Sequence, residues 1–217
     1  MTQNFYAAPE ASPYLNENEV YFIKDYHKNV FNELKSRGFD LSVHSLLDVG
    51  CGNGSLLNAI CRLAGQDEEI SKNIYGVDVT EEYVNFANIH KNYPLHFLNT
   101  PLEEMETKLG GRKFDYIIST GVLPIFQDFR VFFNKCLKVL SPGGFLIING
   151  RINKDPVDVE MRFRDHSHPS TREWRSDWNV HSEFSILREY RQKFETIEFS
   201  DDILNTDIPK NVNKPAV

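Results

Sequence analysis

The chain has 217 residues, of which 41% are hydrophobic, 12% are aromatic and 25% are charged. This composition excludes a disordered or collagen-like chain, because it supplies enough apolar side chains to bury one compact core. The formal net charge of -7 argues against a broad contact surface for nucleic acid. We therefore expect one globular domain over residues 1–217 whose partners are small molecules.

The sequence also carries signals about the cellular compartment. No stretch approaches the roughly 18 consecutive apolar residues that a membrane span needs, and the amino end lacks the basic and apolar regions of a leader. The three cysteines form an odd number without metal-ligand spacing, so neither a disulfide framework nor a metal site is expected. We predict a cytoplasmic protein without a membrane anchor.

Strands and helices alternate along the first two thirds of the chain. The apolar stripe over residues 15–38 predicts a first helix that ends at Gly38. The patterns that follow predict strands at 45–49, 73–79, 95–99, 114–120 and 145–150, and helices at 55–64, 80–91 and 128–140, with Thr80 capping the second of these helices. This alternation predicts an α/β fold with a doubly wound, mostly parallel sheet.

The pattern changes after Gly150. Residues 151–181 lack a sustained apolar period and predict an irregular cap insertion after the fifth strand. A helix over 181–192, with Ser182 as its N-cap, and a sixth strand over 194–202 are predicted next. The domain thus divides into an N-terminal lid and helix, a core, the cap insertion, and a C-terminal helix and strand: residues 1–38, 39–150, 151–181 and 182–217.

A glycine-rich segment follows the first strand and precedes a helix. It reads Asp48-Val49-Gly50-Cys51-Gly52-Asn53-Gly54, and its glycines let backbone N–H groups approach a ligand without Cβ obstruction. At the end of the next strand, Asp78 can accept hydrogen bonds from both hydroxyls of a ribose. We therefore expect a ligand that contains adenosine. Gly50, Gly52 and Ser55 nearly match the dinucleotide pattern, so the loop alone leaves an NAD-dependent or flavin-dependent oxidoreductase open.

Several segments in register resemble the class I S-adenosylmethionine-dependent methyltransferases over about residues 15–150. They are LLDVGCGNGSLL, GVDVTEEYV, FLNTPLEEM, FDYIISTGVLPIF and KVLSPGGFLII. The resemblance implies a Rossmann-like fold, S-adenosyl-L-methionine as cofactor, S-adenosyl-L-homocysteine as product and methyl transfer as the activity. Dinucleotide dehydrogenases are not expected to carry this whole succession.

The resemblance also implies a set of cofactor-binding residues. The glycine-rich segment would hold the methionine part of the cofactor, and Asp78 would bind the ribose. Val79 and the segment after the third strand would contact the adenine. The full set is Tyr14, Asp48, Gly50, Cys51, Gly52, Asn53, Gly54, Asp78, Val79, Thr100, Pro101, Leu102, Thr120 and Gly121, with Tyr6 as an alternative to Tyr14. Many relatives carry an aspartate where this chain has Asn99-Thr100, so backbone or hydroxyl contacts would have to bind the adenine amino group. The alternative roles are loop fixation for Asp48 and space filling for Cys51.

The cap insertion carries the candidate acceptor-binding residues. Guanidinium groups bind carboxylates and phosphates in bidentate geometry, and tryptophans can wall off a site. The candidates are Arg162, Arg164, Arg172, Arg175 and Trp174, with Trp178 close by in the sequence. Acidic residues are interleaved with these arginines, so surface ion pairs are the alternative role.

Three histidines are candidate general bases: His166, His168 and His181. A hydroxyl acceptor would need such a base, whereas a carboxylate or phosphate oxygen would not, and a structural role for each histidine is the alternative. We predict O-methylation of a small polar, anionic metabolite or sugar intermediate. The alternatives are an N-methyltransferase, a tRNA or protein methylase, and a cofactor-binding protein without turnover.

Overall fold

The computed structural model describes residues 15–65, 73–164, 175–176 and 178–200. Of Arg175 it describes the backbone alone. Other residues that the sequence singled out lie outside the described residues: Tyr6, Tyr14, His166, His168, Arg172 and Trp174.

The amino-terminal helix is divided, where the sequence predicted one helix over residues 15–38. Helix α1 covers Glu17–Tyr21 and helix α2 covers Asp25–Ser36. The break arises because Phe22 and Lys24 adopt extended backbone, and the Lys24 amide donates to Nδ1 of His27 at 3.2 Å to start the second helix. Gly38 follows α2 with φ of 80°, which fits the predicted stop.

A parallel sheet of five strands forms the centre of the molecule, in the order β3-β2-β1-β4-β5. The strands are β1 Leu46–Val49, β2 Ile74–Asp78, β3 His96–Asn99, β4 Phe114–Thr120 and β5 Leu140–Asn149. All four neighbouring pairs run parallel, which confirms the predicted doubly wound α/β fold. Strand order reverses between β1 and β4, and ligands of open α/β sheets bind at the carboxyl ends near such a point.

Helices cover both faces of the sheet. They are α3 Ser55–Ala64, α4 Glu81–His90, α5 Met105–Lys108, α6 Phe129–Val139 and α7 Glu183–Tyr190. One apolar cluster joins the sheet to α2, α3 and α4, with Leu34, Leu57 and Ala87 fully buried. The second joins it to α5, α6 and α7. The two clusters hold the sheet between helical layers and leave its carboxyl edge for the connecting loops.

Over residues 151–164, 175–176 and 178–181, which the structure describes, the cap insertion is mostly irregular, as predicted. The strands described in this region have two residues each: β6 Ile152–Asn153, β7 Arg162–Phe163, β8 Arg175–Ser176 and β9 His181–Ser182. Strand β6 pairs with β9 in parallel, and β7 pairs with β8 in antiparallel geometry. Ser182 is the N-cap of α7, as predicted: its hydroxyl accepts from the Ser185 amide at 3.1 Å.

The predicted sixth strand over 194–202 is wrong for the part that is described. Residues 194–200 form no strand, and Phe194, Ile197 and Phe199 pack against the second apolar cluster instead. The alternation of apolar residues is therefore satisfied by side-chain burial without a strand partner. In the portion of the chain that is described, no helix has the length and apolar character needed to cross a membrane.

Candidate active site

The glycine-rich loop between β1 and α3 contains three glycines in the left-handed backbone conformation. Gly50, Gly52 and Gly54 have φ of 83°, 52° and 76°, a region that side chains other than glycine rarely enter. The Gly50 and Cys51 amides both donate to the Val77 carbonyl, at 2.8 and 3.0 Å. These bonds fasten the loop to the end of the neighbouring strand β2.

The three glycines differ in what surrounds them. A Cβ on Gly50 would lie 2.1 Å from the Val122 side chain, and one on Gly54 would lie 2.6 Å from the Phe97 ring. A Cβ on Gly52 would meet no atom of the described chain within 4 Å. Gly50 and Gly54 are thus required for packing, whereas Gly52 presents its backbone to open space, as a ligand-binding glycine should.

Asp78 connects the loop to the next helix. One carboxylate oxygen accepts from the Gly52 amide and the other from the Thr80 amide, each at 2.9 Å. Thr80 occupies the N-cap position of α4 as predicted, but its side chain makes no capping bond. A carboxylate can accept about four hydrogen bonds. Asp78 therefore keeps acceptor capacity for the two hydroxyls of a ribose.

Asp48 and Cys51 are buried beside this loop. Burial raises the pKa of Asp48 to about 8, and the negative charge of Asp78 adds to the rise. Burial likewise raises the pKa of the Cys51 thiol well above its usual value, and its sulfur fits closely over Gly76. These surroundings support space filling for the Cys51 side chain, and both backbone groups of Cys51 are bonded within the protein, to Val77 and Gly54. Asn53 is also buried, and its side chain accepts from the Ser55 amide at 3.1 Å.

The segment after β3 is attached to Asp78 through the backbone. The Thr100 amide and the Asn99 side-chain amide both donate to the Asp78 carbonyl, at 2.9 and 3.1 Å. Val79 is 44% exposed, whereas Thr100 is buried. Pro101 and Leu102 follow directly and are partly buried. Val79 and this segment are thus brought together at neighbouring strand ends, where they can flank a planar base.

The end of β4 supplies further polar groups. The buried hydroxyl of Thr120 has no hydrogen-bond partner among the described residues. Gly121 has φ of 73°, and its amide donates to the Asn149 carbonyl at 2.9 Å. Ser119, which the sequence did not single out, donates to the Val49 carbonyl at 2.7 Å and holds β4 against β1. An unpartnered buried hydroxyl, the open side of Gly52 and the spare acceptors of Asp78 together fit an adenosyl amino acid.

The cap insertion rests on the loop that follows β4. Asn179 is buried, and both its backbone amide and its side-chain amide donate to the Pro124 carbonyl, at 2.9 and 3.1 Å. Nε2 of His181 lies 2.9 Å from the Phe126 carbonyl oxygen. These contacts place the cap insertion next to the glycine-rich loop, because the loop after β4 touches Gly50 through Val122.

The surroundings of His181 fit a structural role. It lines a cavity of about 490 Å³ between α6, α7 and the cap insertion, together with Asp128 and Asp158. The cavity lining includes no residue of the cofactor-binding set. The structure therefore does not bring His181 together with the cofactor residues, and its bond to Phe126 favours the structural alternative.

The two described arginine side chains of the acceptor set are on the surface. Arg162 pairs with Glu160, which also accepts from the Gln127 side chain at 2.7 Å. Arg164 is exposed at the end of the same segment. Arg175 contributes its backbone to β8. For Arg162 the structure thus favours the alternative role, a surface ion pair.

A larger groove runs beside β5, and the sequence did not predict it. It has a volume of about 1150 Å³, and at the carboxyl end of the strand it is lined by Gly121, Pro124, Asn149, Arg151, Lys154, Trp178 and Asn179. Arg151 lies two residues after the end of β5, so its position after a strand end was the available signal.

Comparisons with known proteins give the family. A family model described as a methyltransferase domain matches residues 42–200. The human mitochondrial ubiquinone biosynthesis O-methyltransferase is 29% identical over 155 residues, which cover 68% of this chain and 39% of that protein. The Bradyrhizobium ubiquinone biosynthesis O-methyltransferase is 29% identical over 112 residues, covering 50% of this chain and 40% of that protein. This chain spans about two fifths of the length of these curated relatives.

A solved structure supports the fold. In a complex between the Haloferax volcanii Trm112 methyltransferase activator and a putative methyltransferase, the matched chain has a TM-score of 0.61 and 18% identity, with 92% of this chain and 82% of that chain covered. The fold, the glycine-rich loop and the match to the family model agree. The chain belongs to the methyltransferase domain family, among the class I S-adenosylmethionine-dependent methyltransferases.

Proposed function

We propose that this chain transfers the methyl group of S-adenosylmethionine to an oxygen of a small polar, anionic acceptor. The observation that carries the proposal is the hydrogen bond between Gly52 and Asp78, which sets a ligand-facing backbone beside a carboxylate with spare acceptor capacity. The names of the curated relatives, which are O-methyltransferases, favour oxygen over nitrogen as the acceptor atom.

The residues of the site divide the work of binding. Asp78 accepts the ribose hydroxyls, Val79 and the segment after β3 flank the adenine, and Thr120 with Gly121 borders the methionine amine. When bound, S-adenosylmethionine supplies a methyl group on a positively charged sulfur, and transfer forms an oxygen–carbon bond while the carbon–sulfur bond breaks and its electron pair passes to sulfur. The acceptor proton, where there is one, leaves to a base or to water.

The chain contributes to such a reaction mainly by positioning the acceptor and by excluding water. A sulfonium methyl is already activated, so in-line placement of the acceptor and exclusion of water supply most of the rate. The cap insertion is held over the carboxyl edge of the sheet by the contacts of Asn179 and His181 with the loop after β4. Polar groups line the neighbouring groove, which favours turnover over a cofactor-binding role without catalysis.

A transfer assay tests this proposal. The protein is incubated with methyl-labelled S-adenosylmethionine and a panel of sugar phosphates, carboxylic acids and nucleotide-sugars, and products are resolved by mass. Label in an anionic small molecule supports the proposal. Label that appears only in tRNA or protein, or only on nitrogen, contradicts it.

The state of the cysteines supports a proposal about the compartment. All three cysteines are free and buried, with burial raising the pKa of Cys61 and Cys136 to about 12. Reduced thiols fit the cytoplasm, which we propose as the site of action. Fractionation that recovers the full-length protein in another compartment would contradict this.

A further inference from the structure

Asp48 is a buried acid in the central strand of the sheet. It lies in β1, where the strand register places it between Gly76 of β2 and Ile118 of β4, and it is 2% exposed. Neither of these neighbours carries a charge. Among the residues that the structure describes, no lysine, arginine or histidine forms an ion pair with the Asp48 carboxyl group. Within that part of the chain, an ionised Asp48 would have no counter-charge.

The charged group that acts on Asp48 is itself negative. Burial raises the pKa of Asp48 to about 8, and the charge of Asp78 adds to the rise. The other titratable neighbour is the Cys51 thiol, which stays neutral because burial raises its pKa well above the usual value. A carboxylate that has lost its hydration beside a like charge is unstable in its ionised form. Asp48 therefore holds a proton at neutral pH when no ligand is bound.

This protonated acid adjoins the loop that the proposed function assigns to the methionine part of the cofactor. Asp48 comes two residues before Gly50, and its neighbour Asp78 accepts from the Gly52 amide at 2.9 Å. S-adenosylmethionine carries a positive charge on sulfur that S-adenosylhomocysteine lacks, whereas both ligands carry the same ammonium and carboxylate. A cation within about 4–6 Å of a carboxyl group favours its ionised form strongly. A cationic ligand on this loop thus supplies a counter-charge for Asp48.

We propose that Asp48 releases its proton to solvent when S-adenosylmethionine binds and takes a proton up again from solvent when S-adenosylhomocysteine is left in the site. Asp48 is then a specificity-determining residue, because its charge distinguishes the cationic cofactor from the neutral product. The preference for cofactor over product rises with pH, and acidic solution favours retention of the product. This inference rests on the proposed function, because it concerns the cofactor site of that same reaction.

The test counts the protons that the full chain releases on binding, without an acceptor. Calorimetric titrations at about pH 6.5, in buffers with different heats of ionisation, give the number of protons for each ligand. At this pH the amino groups of the ligands are still protonated, since α-amino groups titrate near pH 8. The ligands are S-adenosylmethionine, S-adenosylhomocysteine and sinefungin, which carries an ammonium group in place of the methylated sulfur.

Two variants accompany the unsubstituted protein. Asp48→Asn keeps the size of the side chain but has no proton to release. Glu82→Gln, an exposed acid in the first turn of α4, is the matched control. The affinity of each protein for each ligand is also measured at about pH 5.5 and about pH 7.

We expect S-adenosylmethionine and sinefungin each to release about 0.7 proton from the unsubstituted protein, and S-adenosylhomocysteine to release less than half as much. Between about pH 5.5 and pH 7, affinity for S-adenosylmethionine should rise by about fivefold or more, and affinity for S-adenosylhomocysteine by less than about twofold. Asp48→Asn should release almost no proton with any ligand, and its affinities should stay constant over this range. Glu82→Gln should match the unsubstituted protein.

The outcomes separate this inference from the proposed function. If neither S-adenosylmethionine nor S-adenosylhomocysteine binds, both fail. If both ligands bind but release equal numbers of protons or none, or if Asp48→Asn releases as many as the unsubstituted protein, this inference alone is overturned. If Asp48→Asn does not fold, the three ligands still decide with the unsubstituted protein: sinefungin that behaves like S-adenosylhomocysteine would overturn the role of the positive charge.

Discussion

The Asp78 carboxylate accepts a hydrogen bond from the Gly52 amide at 2.9 Å, and this contact joins the two loops that begin at neighbouring strand ends. Its second oxygen accepts from the Thr80 amide at the start of α4. The Asp78 side chain thus sets the shape of the glycine-rich loop and offers hydrogen-bond acceptors to a ligand. Substitutions of Asp78 should therefore affect both the loop conformation and ligand binding.

We expect Asp78→Asn to weaken S-adenosylhomocysteine binding by about 100-fold. The substitution removes the negative charge, and the loss of two charge-assisted bonds to the ribose is worth about 3 kcal/mol. Glu81→Gln, an exposed acid in the first turn of α4, is the matched control and should leave affinity unchanged. Unaltered affinity in Asp78→Asn would show that the ribose is bound elsewhere.

Gly50→Ala and Gly52→Ala should have different effects on stability. Both substitutions strain a left-handed residue by about 1 kcal/mol, but a Cβ on Gly50 also collides with Val122. Overpacking adds about 1–3 kcal/mol, so Gly50→Ala should lower the free energy of unfolding by about 3 kcal/mol and Gly52→Ala by about 1 kcal/mol. Urea denaturation measures both values.

A second substitution separates collision from strain. Combining Gly50→Ala with Val122→Ala should restore part of the lost free energy of unfolding, because the colliding methyl group is removed. Gly52→Ala should instead lose affinity for S-adenosylhomocysteine while remaining folded. Equal stability losses for the two single variants would contradict the packing described for Gly50.

Asp48 should make stability depend on pH. Burial raises its pKa to about 8 in the folded protein, so between about pH 4 and pH 8 the folded state binds a proton that the unfolded state has released. The stabilisation that comes from protonated Asp48 is fully present below about pH 4 and is lost as the pH rises to about 8. Asp48→Asn removes this dependence.

The measurement is the free energy of unfolding of both proteins across this range. As the pH rises, the free energy of unfolding of Asp48→Asn should increase relative to that of the unsubstituted protein, by at most about 1.4 kcal/mol per pH unit. A difference that stays constant with pH would mean that Asp48 is ionised throughout.

Asn179→Ala should impair transfer without impairing cofactor binding. Its amide side chain holds the cap insertion on Pro124 but does not belong to the cofactor set. We expect kcat/KM for methyl transfer to fall about tenfold or more, since a small misplacement of the acceptor is costly. Asn153→Ala, which removes an exposed bond to Val157, is the control. A matching loss of S-adenosylhomocysteine affinity would contradict this separation of roles.

His181→Gln tests the general-base hypothesis against the structural one. Glutamine can still donate to the Phe126 carbonyl, so a positioning residue should tolerate it with less than about tenfold loss of kcat. Removal of a general base should lower kcat by about 10²–10⁴ and abolish the acidic limb of the pH–rate profile, which arises from protonation of that base. A retained pH profile with a small loss is the result that this structure favours.

Local patterns predicted the elements that form the centre of the fold. Strand β1 and the glycines after it were recognisable because a buried parallel strand is continuously apolar and left-handed turns require glycine. The N-cap role of Ser182 was predictable for the same reason, since the capping bond lies within a few residues.

Features that depend on distant contacts were not predictable. The apolar residues of 194–200 matched a strand, but their packing against the second apolar cluster needs no strand partner. The pairing of Arg162 with Glu160 could be suspected from interleaved charges, but the strained backbone of Trp178 and its place in the groove depend on tertiary contacts. Spacing along the chain does not reveal such positions.

The central claim is that the glycine-rich loop and Asp78 bind the adenosyl part of S-adenosylmethionine. Calorimetric titration of the unsubstituted protein with S-adenosylhomocysteine, and separately with NAD, tests it most directly. We expect saturable one-to-one binding of S-adenosylhomocysteine and no binding of NAD. Folded protein that takes up NAD, or that does not bind S-adenosylhomocysteine, would contradict it.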